Sequence, residues 1–228
     1  MMARTAGSTR AEATRELILA TAERLFAEHG VAAVSNRQVS EAAGQGNNTA
    51  VGYHFGTKVD LVRAIVRKHN RRIEQLRDEM VARLDGSADV RDWVACVVRP
   101  STRYLADLGA PTWFGRFSAQ VMTDPAYRDI MVAESLESPS LQRATDGVDT
   151  CLPEMPLAVR LERRDMVRQL MVHMVAERER ALAEGEPTPR ASWDDAADGL
   201  IDAIVGLLLA PVGDRGGKLR GREGTACR

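Results

Sequence analysis

The fold of this chain is decided by two neighbouring stretches of sequence, SNRQVSEAAG at residues 35–44 and TAVGYHFGTKVDL at residues 49–61. In the first stretch, Ser35 and Gln38 have the spacing of a capping box, and Gly44 is well suited to end a short helix. Polar turn residues follow, and the apolar side chains of the second stretch fit another short helix. Two short helices joined by a tight turn allow the second to enter the major groove of DNA. The pattern predicts a helix-turn-helix over about residues 35–55.

Helical periodicity continues on both sides of this motif. Before it, the apolar side chains of residues 17–26 form one stripe, which ends at Gly30. After it, Thr57 is placed to cap a long helix whose apolar side chains continue over residues 61–84. No segment alternates between apolar and polar residues for long enough to predict a strand. The predicted fold class is therefore all-α.

The rest of the chain shows further helix starts, a long helix and a very apolar last helix. Starts are predicted near Asp89, Thr112, Asp124 and Ser138, after the prolines at 153 and 156, and at Ser192. Pro100 lies inside a helical run and predicts a kink or break. Because the last helix is apolar on nearly all sides, we expect it to pair with the long helix before it and with their counterparts in a second subunit. The expected homodimer interface contains Ile201, Ile204, Val205 and Leu208.

These signals divide the 228 residues into four segments. They are a flexible N-terminal arm (1–13), a DNA-binding domain (14–61), a larger helical domain that contains the expected dimer interface (62–212), and a disordered tail (213–228).

Composition and charge limit the function classes. The formal net charge is −1, but Lys and Arg outnumber Asp and Glu by 13 to 9 over residues 1–83, and the remainder is acidic. No apolar run is long enough to span a membrane, and residues 1–10 lack the apolar centre of a secretory signal. The three cysteines have no spacing typical of a disulfide framework or a zinc site. We therefore expect a cytoplasmic protein with no membrane contact, no metal and no cofactor.

The two quoted stretches resemble the signature of the TetR family of transcriptional regulators, and the resemblance extends over about residues 14–61. It implies that the chain binds double-stranded operator DNA. Ser35 and Arg37 would anchor the motif on the backbone, with Arg37 also able to reach a guanine edge. The residues carried over as DNA-binding are Ser35, Arg37, Asn47, Asn48, Thr49, Tyr53, His54 and Lys58.

Within this set the chemistry suggests two roles. Asn47, Asn48 and Thr49 carry short amide and hydroxyl groups that can read base edges, although turn and cap roles suit each Asn alone equally well. Tyr53, His54 and Lys58 offer donors to phosphate oxygens. The turn is one residue longer than is usual in the family, so that Gly52 stands where the family commonly has Tyr. Either Tyr53 assumes the phosphate contact, or Gly52 lets the backbone approach the DNA closely.

The resemblance further implies a repressor that binds a palindromic operator as a dimer and is released by a small-molecule effector, with residues 62–212 as the domain for effector binding and dimerisation. Aromatic and Met side chains can adapt to an apolar ligand, and they suggest a pocket. Its candidate residues are Cys96, Tyr104, Trp113, Phe114, Phe117, Met122, Met166, Leu170 and His173. A purely structural role in the core is an equally good interpretation of each.

The alternative is a helical small-molecule carrier or enzyme in which the N-terminal domain is only structural. The sequence has no phosphate-binding glycine loop, no metal-ligand spacing and no nucleophile motif to support catalysis. A DNA-bending architectural protein would need a stronger basic excess. The prediction is a regulator and not an enzyme.

Overall fold

A computed structural model of the chain describes residues 3–46, 49–84 and 86–213. Within these residues the chain forms ten α-helices and no strand, which confirms the predicted fold class. The helices are α1 (Ala3–His29), α2 (Asn36–Ala42), α3 (Ala50–Phe55), α4 (Lys58–Val81), α5 (Val90–Leu108), α6 (Phe114–Thr123), α7 (Arg128–Leu136), α8 (Pro139–Cys151), α9 (Leu157–Glu184) and α10 (Trp193–Leu209).

The first three helices pack with the start of α4 around one apolar core. Its most deeply buried side chains include Phe26 of α1, Val39 of α2 and Val51 of α3. Helix α1 begins at Ala3, so residues 3–13, which we expected to be a flexible arm, belong to the helix. Alanine and glutamate in this segment favour helix, which extends α1 before the capping-box pattern at Thr9. Of the expected tail, residues 214–228 lie outside the described residues.

Helix α4 connects this N-terminal domain to the rest of the molecule. Thr57 caps it as predicted: the Thr57 side chain accepts from the backbone amide of Asp60, whose carboxylate accepts from the amide of Thr57. Leu61 and Ile65 of α4 are fully buried, and Ile73 and Leu76 are nearly so. Because the same helix packs against α1, α5, α7 and α8, it belongs to both domains.

The C-terminal domain is organised around α5, which packs against α4, α8 and α10. Helix α5 runs without interruption through Pro100, so the break considered at that residue does not occur. Helix α6 lies between α1 and α9 and supplies a second route between the two domains. No helix in the described part of the chain is long and apolar enough to cross a bilayer.

The structure corrects the orientation expected for the last helix. Ile201, Ile204 and Leu208 of α10 are buried in the core of the subunit itself, where they share a cluster with Val94 and Val98 of α5. Val205 is half-buried beside the same cluster. Ile201, Ile204 and Leu208 therefore stabilise the subunit itself, because α5 already covers them. The face of α10 opposite to them is the exposed one.

Candidate functional site

The helix-turn-helix is held together by local hydrogen bonds. Ser35 caps α2 through the predicted capping box, in which the amide of Ser35 donates to Oε1 of Gln38 at 2.8 Å. Ser40, fully buried, accepts a hydrogen bond from the backbone amide of Val51 at 3.3 Å. This bond fixes α3 against α2, and sequence analysis missed it because serine is also common on exposed helix surfaces.

The outer surface of α3 is exposed to solvent. Tyr53 is 84% exposed, and its ring meets the half-buried His54 ring edge-on at 5.0 Å. Thr49 is exposed at the N-terminus of the helix. A Cβ atom added to Gly52 would meet no atom within 4 Å, so packing inside the protein does not require glycine there. Asn47 and Asn48 lie outside the described residues.

The two predicted cationic contacts have different surroundings. The exposed Arg37 side chain donates to Glu41 at 2.7 Å, and this hydrogen bond raises the pKa of Arg37. Lys58 is half-buried, and its Nζ donates to the carbonyl of Val31 at 3.0 Å. Burial lowers the pKa of Lys58. Since an ammonium has three donors, Lys58 can still bind a phosphate while it ties the start of α4 to the turn that follows α1.

A buried hydrogen-bonded group joins the two domains. His69 of α4 is 3% exposed, and its Nε2 lies 2.8 Å from a carboxylate oxygen of Glu23 in α1. Its Nδ1 lies 2.8 Å from the hydroxyl of Tyr104 in α5. The His69 ring also stacks on Phe114 of α6 with 3.9 Å between ring centroids. One imidazole therefore contacts three other helices, and we call these four residues the His69 cluster.

Two adjoining cavities lie in the C-terminal domain. The first has a volume of about 440 Å³ and is lined by residues of α4 to α9, including Ile73 and Phe114. The second, of about 350 Å³, is lined mainly by α5, α8, α9 and α10. They share five lining residues: Arg77, Ser135, Leu141, Met171 and Val172. Both volumes are in the range of small-molecule sites.

Only one of the nine candidate pocket residues, Phe114, lines either cavity. Cys96, Tyr104 and Phe117 are buried by neighbouring side chains. Trp113 is half-buried beneath the guanidinium of Arg116.

The remaining candidates lie on or near α9. Met122 is half-buried close to Arg168, Leu170 is half-buried, and Met166 and His173 are exposed. The register of α9 explains this placement, because the long helix turns Met171, Val172 and Val175 towards the first cavity and carries Met166 and His173 outward.

The charged residues of the cavities were also missed by sequence analysis. Glu74 and Arg77 interrupt the apolar stripe of α4 at helical spacing and line the first cavity. Burial alone would raise the pKa of Glu74, but hydrogen bonds from Ser138 and from Ser140 outweigh it and hold that pKa below its usual value. Charged side chains on an otherwise apolar face were the available signal.

Comparisons with known proteins cover both domains. A family model described as bacterial regulatory proteins of the tetR family matches residues 18–65, and one described as a tetracyclin repressor-like C-terminal domain matches residues 95–206. No match to a curated protein was found.

Among solved structures, NalD, the secondary repressor of the MexAB-OprM multidrug efflux pump in Pseudomonas aeruginosa, is 22% identical with a TM-score of 0.53. That alignment covers 87% of this chain and 98% of NalD. PfmR, a TetR family regulator from Thermus thermophilus, is 17% identical with a TM-score of 0.48, over 86% of this chain and 96% of PfmR. The likeness to NalD concerns the fold.

Proposed function

Because the chain belongs to the TetR family of DNA-binding transcriptional regulators, we propose that it is a repressor controlled by a small molecule. In this proposal a homodimer binds a palindromic operator in the cytoplasm, and an effector in the C-terminal cavities releases it. The observation that carries the proposal is the position of α4. This helix starts beside the recognition helix α3 at Lys58 and lines the first cavity from Arg67 to Arg77.

The His69 cluster supports a route from the cavities to the DNA. Phe114 lines the first cavity and stacks on the ring of His69. Nε2 of the same ring lies within hydrogen-bond distance of Glu23 in α1. An effector that displaces Phe114 therefore shifts His69 and, with it, the contact between α4 and α1. This contact can couple effector binding to DNA binding, because both the cavity and the DNA-binding domain depend on its geometry.

A second copy of the chain would cover an exposed face formed by α9 and α10. Ala203 and Gly206 of α10 and Ala210, which directly follows it, are exposed at spacings of three and four residues, away from the buried Ile204. Such small side chains allow two helices to approach closely. On α9, Met174 is 53% exposed beside the exposed His173. We place the dimer interface on this face, because a C2 axis would bring both pairs of helices into one four-helix arrangement.

For DNA binding, α3 supplies the exposed groups. Thr49 stands at its start and is assigned to base edges, whereas Tyr53 and Lys58 are assigned to phosphates. The open space around Gly52 supports a close approach of the DNA backbone at that point, with the Tyr53 ring beside it. These roles predict different effects on affinity and on sequence preference.

The test selects operator sites from a random duplex pool and measures affinity by fluorescence anisotropy at several salt concentrations. Tyr53→Ala should weaken binding to selected and scrambled sites alike and leave the salt dependence unchanged, because a neutral hydroxyl releases no counterion from a phosphate. Thr49→Ala should reduce the preference for the selected site by roughly tenfold. Arg103→Ala, an exposed change on α5, is the control and should behave as the wild type. Failure of the wild type to enrich any site, or unchanged binding by both α3 variants, would contradict the proposal.

A further inference from the structure

The second cavity combines apolar walls with a strong excess of positive charge. Five arginines line it, namely Arg77, Arg160, Arg163, Arg164 and Arg168, against one acidic residue, Asp149. The remaining walls are mostly aliphatic, with Val94, Val148 and Val167 among them. Burying cations in an apolar environment is unfavourable unless each has a partner, so the partners of these arginines decide what the cavity can hold.

Three of the five arginines make short hydrogen bonds or ion pairs within the protein. Arg163 donates to the carbonyls of Leu208 and Ala210 at 2.7 and 2.5 Å and so satisfies the C-terminus of α10. Arg164 pairs with Asp149, and Arg168 pairs with Asp165. These side chains have a structural explanation, and they leave Arg77 and Arg160.

Arg77 is poorly satisfied although its side chain is only 8% exposed. Its Nη1 lies 3.4 Å from Glu74 and 3.3 Å from Ser138, and its Nε has no hydrogen-bond partner among the described residues. Good charge-assisted bonds to a carboxylate are about 2.7–2.9 Å long. Glu74 cannot approach further, because its carboxylate already accepts from Ser138 and from the amide of Ser140 at the start of α8.

Arg160, which also lines the second cavity, shows the same deficiency. Its Nε is buried and has no hydrogen-bond partner, and the structure shows no ion pair to it within the described residues. Two guanidinium groups with free donors therefore line one apolar cavity, and Arg77 also lines the first cavity.

We propose that the molecule bound here is an amphipathic anion, in which an apolar body carries a carboxylate that Arg77 and Arg160 bind. Planar guanidinium groups match a carboxylate with two parallel hydrogen bonds, and the aliphatic walls suit the apolar body. The proposal rests on the assignment of these cavities as the effector site. It adds the chemical class of the effector and the residues that select it.

The experiment uses decanoate and decan-1-ol as a matched pair of probes, titrated by calorimetry into the full-length protein without DNA. The wild type should bind decanoate about 10- to 100-fold more tightly than decan-1-ol, because only decanoate forms charge-assisted bonds. Arg77→Met and Arg160→Met should each lose most of this preference while their affinity for decan-1-ol stays close to that of the wild type. Arg103→Met, at an exposed arginine of α5 that lines neither cavity, is the control and should keep the preference.

Circular dichroism and thermal unfolding establish whether each variant is folded. If Arg77→Met does not fold, Arg160→Met carries the test, because the side chain of Arg160 is only half-buried. Equal affinities of the wild type for the two probes, no binding of either, or undiminished decanoate binding by the folded variants would overturn the proposal. Operator release is measured separately. If decanoate binds through Arg77 and Arg160 but does not release operator, the proposed function is contradicted and the anion proposal stands. If only neutral compounds release operator, the anion proposal is contradicted and the proposed function stands.

Discussion

The His69 cluster allows a quantitative test of how the two domains are joined. Replacing His69 by Phe keeps an aromatic ring to stack on Phe114 but removes both hydrogen bonds of the imidazole. The carboxylate of Glu23, whose side chain is 9% exposed, then loses the partner that lies 2.8 Å away. The hydroxyl of Tyr104 loses a partner at the same distance.

The expected cost follows from this burial. Leaving a buried charge without its partner costs about 3–5 kcal/mol. For a chain of this size, each kcal/mol lowers the melting temperature by about 2–4 °C, so His69→Phe should lower it by roughly 6–20 °C. Adding Glu23→Leu removes the stranded carboxylate, and replacing both members of a buried pair by apolar groups is often nearly neutral. The double variant should therefore recover most of the lost stability, with a coupling energy of at least ~2 kcal/mol.

Urea and thermal unfolding of the wild type, both single variants and the double variant give this coupling energy directly. Lys68→Ala is a matched control, because Lys68 also joins α4 to α1, through Glu16 at 3.1 Å, but on the surface. That exposed pair should contribute no more than about 1 kcal/mol. If the effects of His69→Phe and Glu23→Leu simply add, the two side chains do not interact as described, and the route proposed from cavity to DNA loses its central contact.

Three further perturbations test other parts of the molecule. Gly206→Glu places a charge on the exposed face of α10 and should yield folded monomers by light scattering, whereas Ile204→Glu buries a charge in the subunit core and should unfold the chain by circular dichroism. A Gly206→Glu protein that stays dimeric would contradict the interface. Gly147→Ala should destabilise by about 1–3 kcal/mol in urea unfolding, since its Cβ would lie 2.2 Å from the Trp93 ring; unchanged stability would mean that this ring moves freely. Tyr53→Ala should leave the melting temperature within about 1 °C of the wild type, because its ring is exposed; a large decrease would show that the ring supports the fold rather than DNA.

The fold could be predicted largely because its signals are local. Ser35, Thr57, Ser138 and Ser192 cap their helices as their sequence neighbours indicate, since a cap requires only residues within one turn. The helix-turn-helix follows from the same local signals together with Gly44. The start of α1 could not be placed, because its alanine-rich N-terminal segment has no unique boundary signal.

The candidate site could be predicted less well, because it depends on contacts between distant residues. An apolar last helix does not reveal which of its faces α5 covers, and so Ile204 could not be distinguished from a residue at a subunit interface. The residues that line the cavities depend on which side of α9 faces α4. The packing of the helices determines that side, and sequence periodicity does not. Arg77 becomes informative only once its poor hydrogen bonding is seen, since a lone arginine on a helix is usually solvated.

In the proposed function, the length of α4 lets a small change at the cavities act on DNA. From Arg77 to Lys58 the helix rises roughly 28 Å at 1.5 Å per residue. A tilt of about 5° at Arg77 would move the Lys58 end by roughly 2.5 Å, which is several times the range over which hydrogen bonds retain good geometry. Because Glu23 bonds to His69, Glu16 pairs with Lys68, and Lys58 bonds to the carbonyl of Val31, α1 and the turn that follows it are tied to α4 along this length. The DNA-binding domain would therefore move as one body with α4, and the recognition helices of a dimer would lose their common register on the operator.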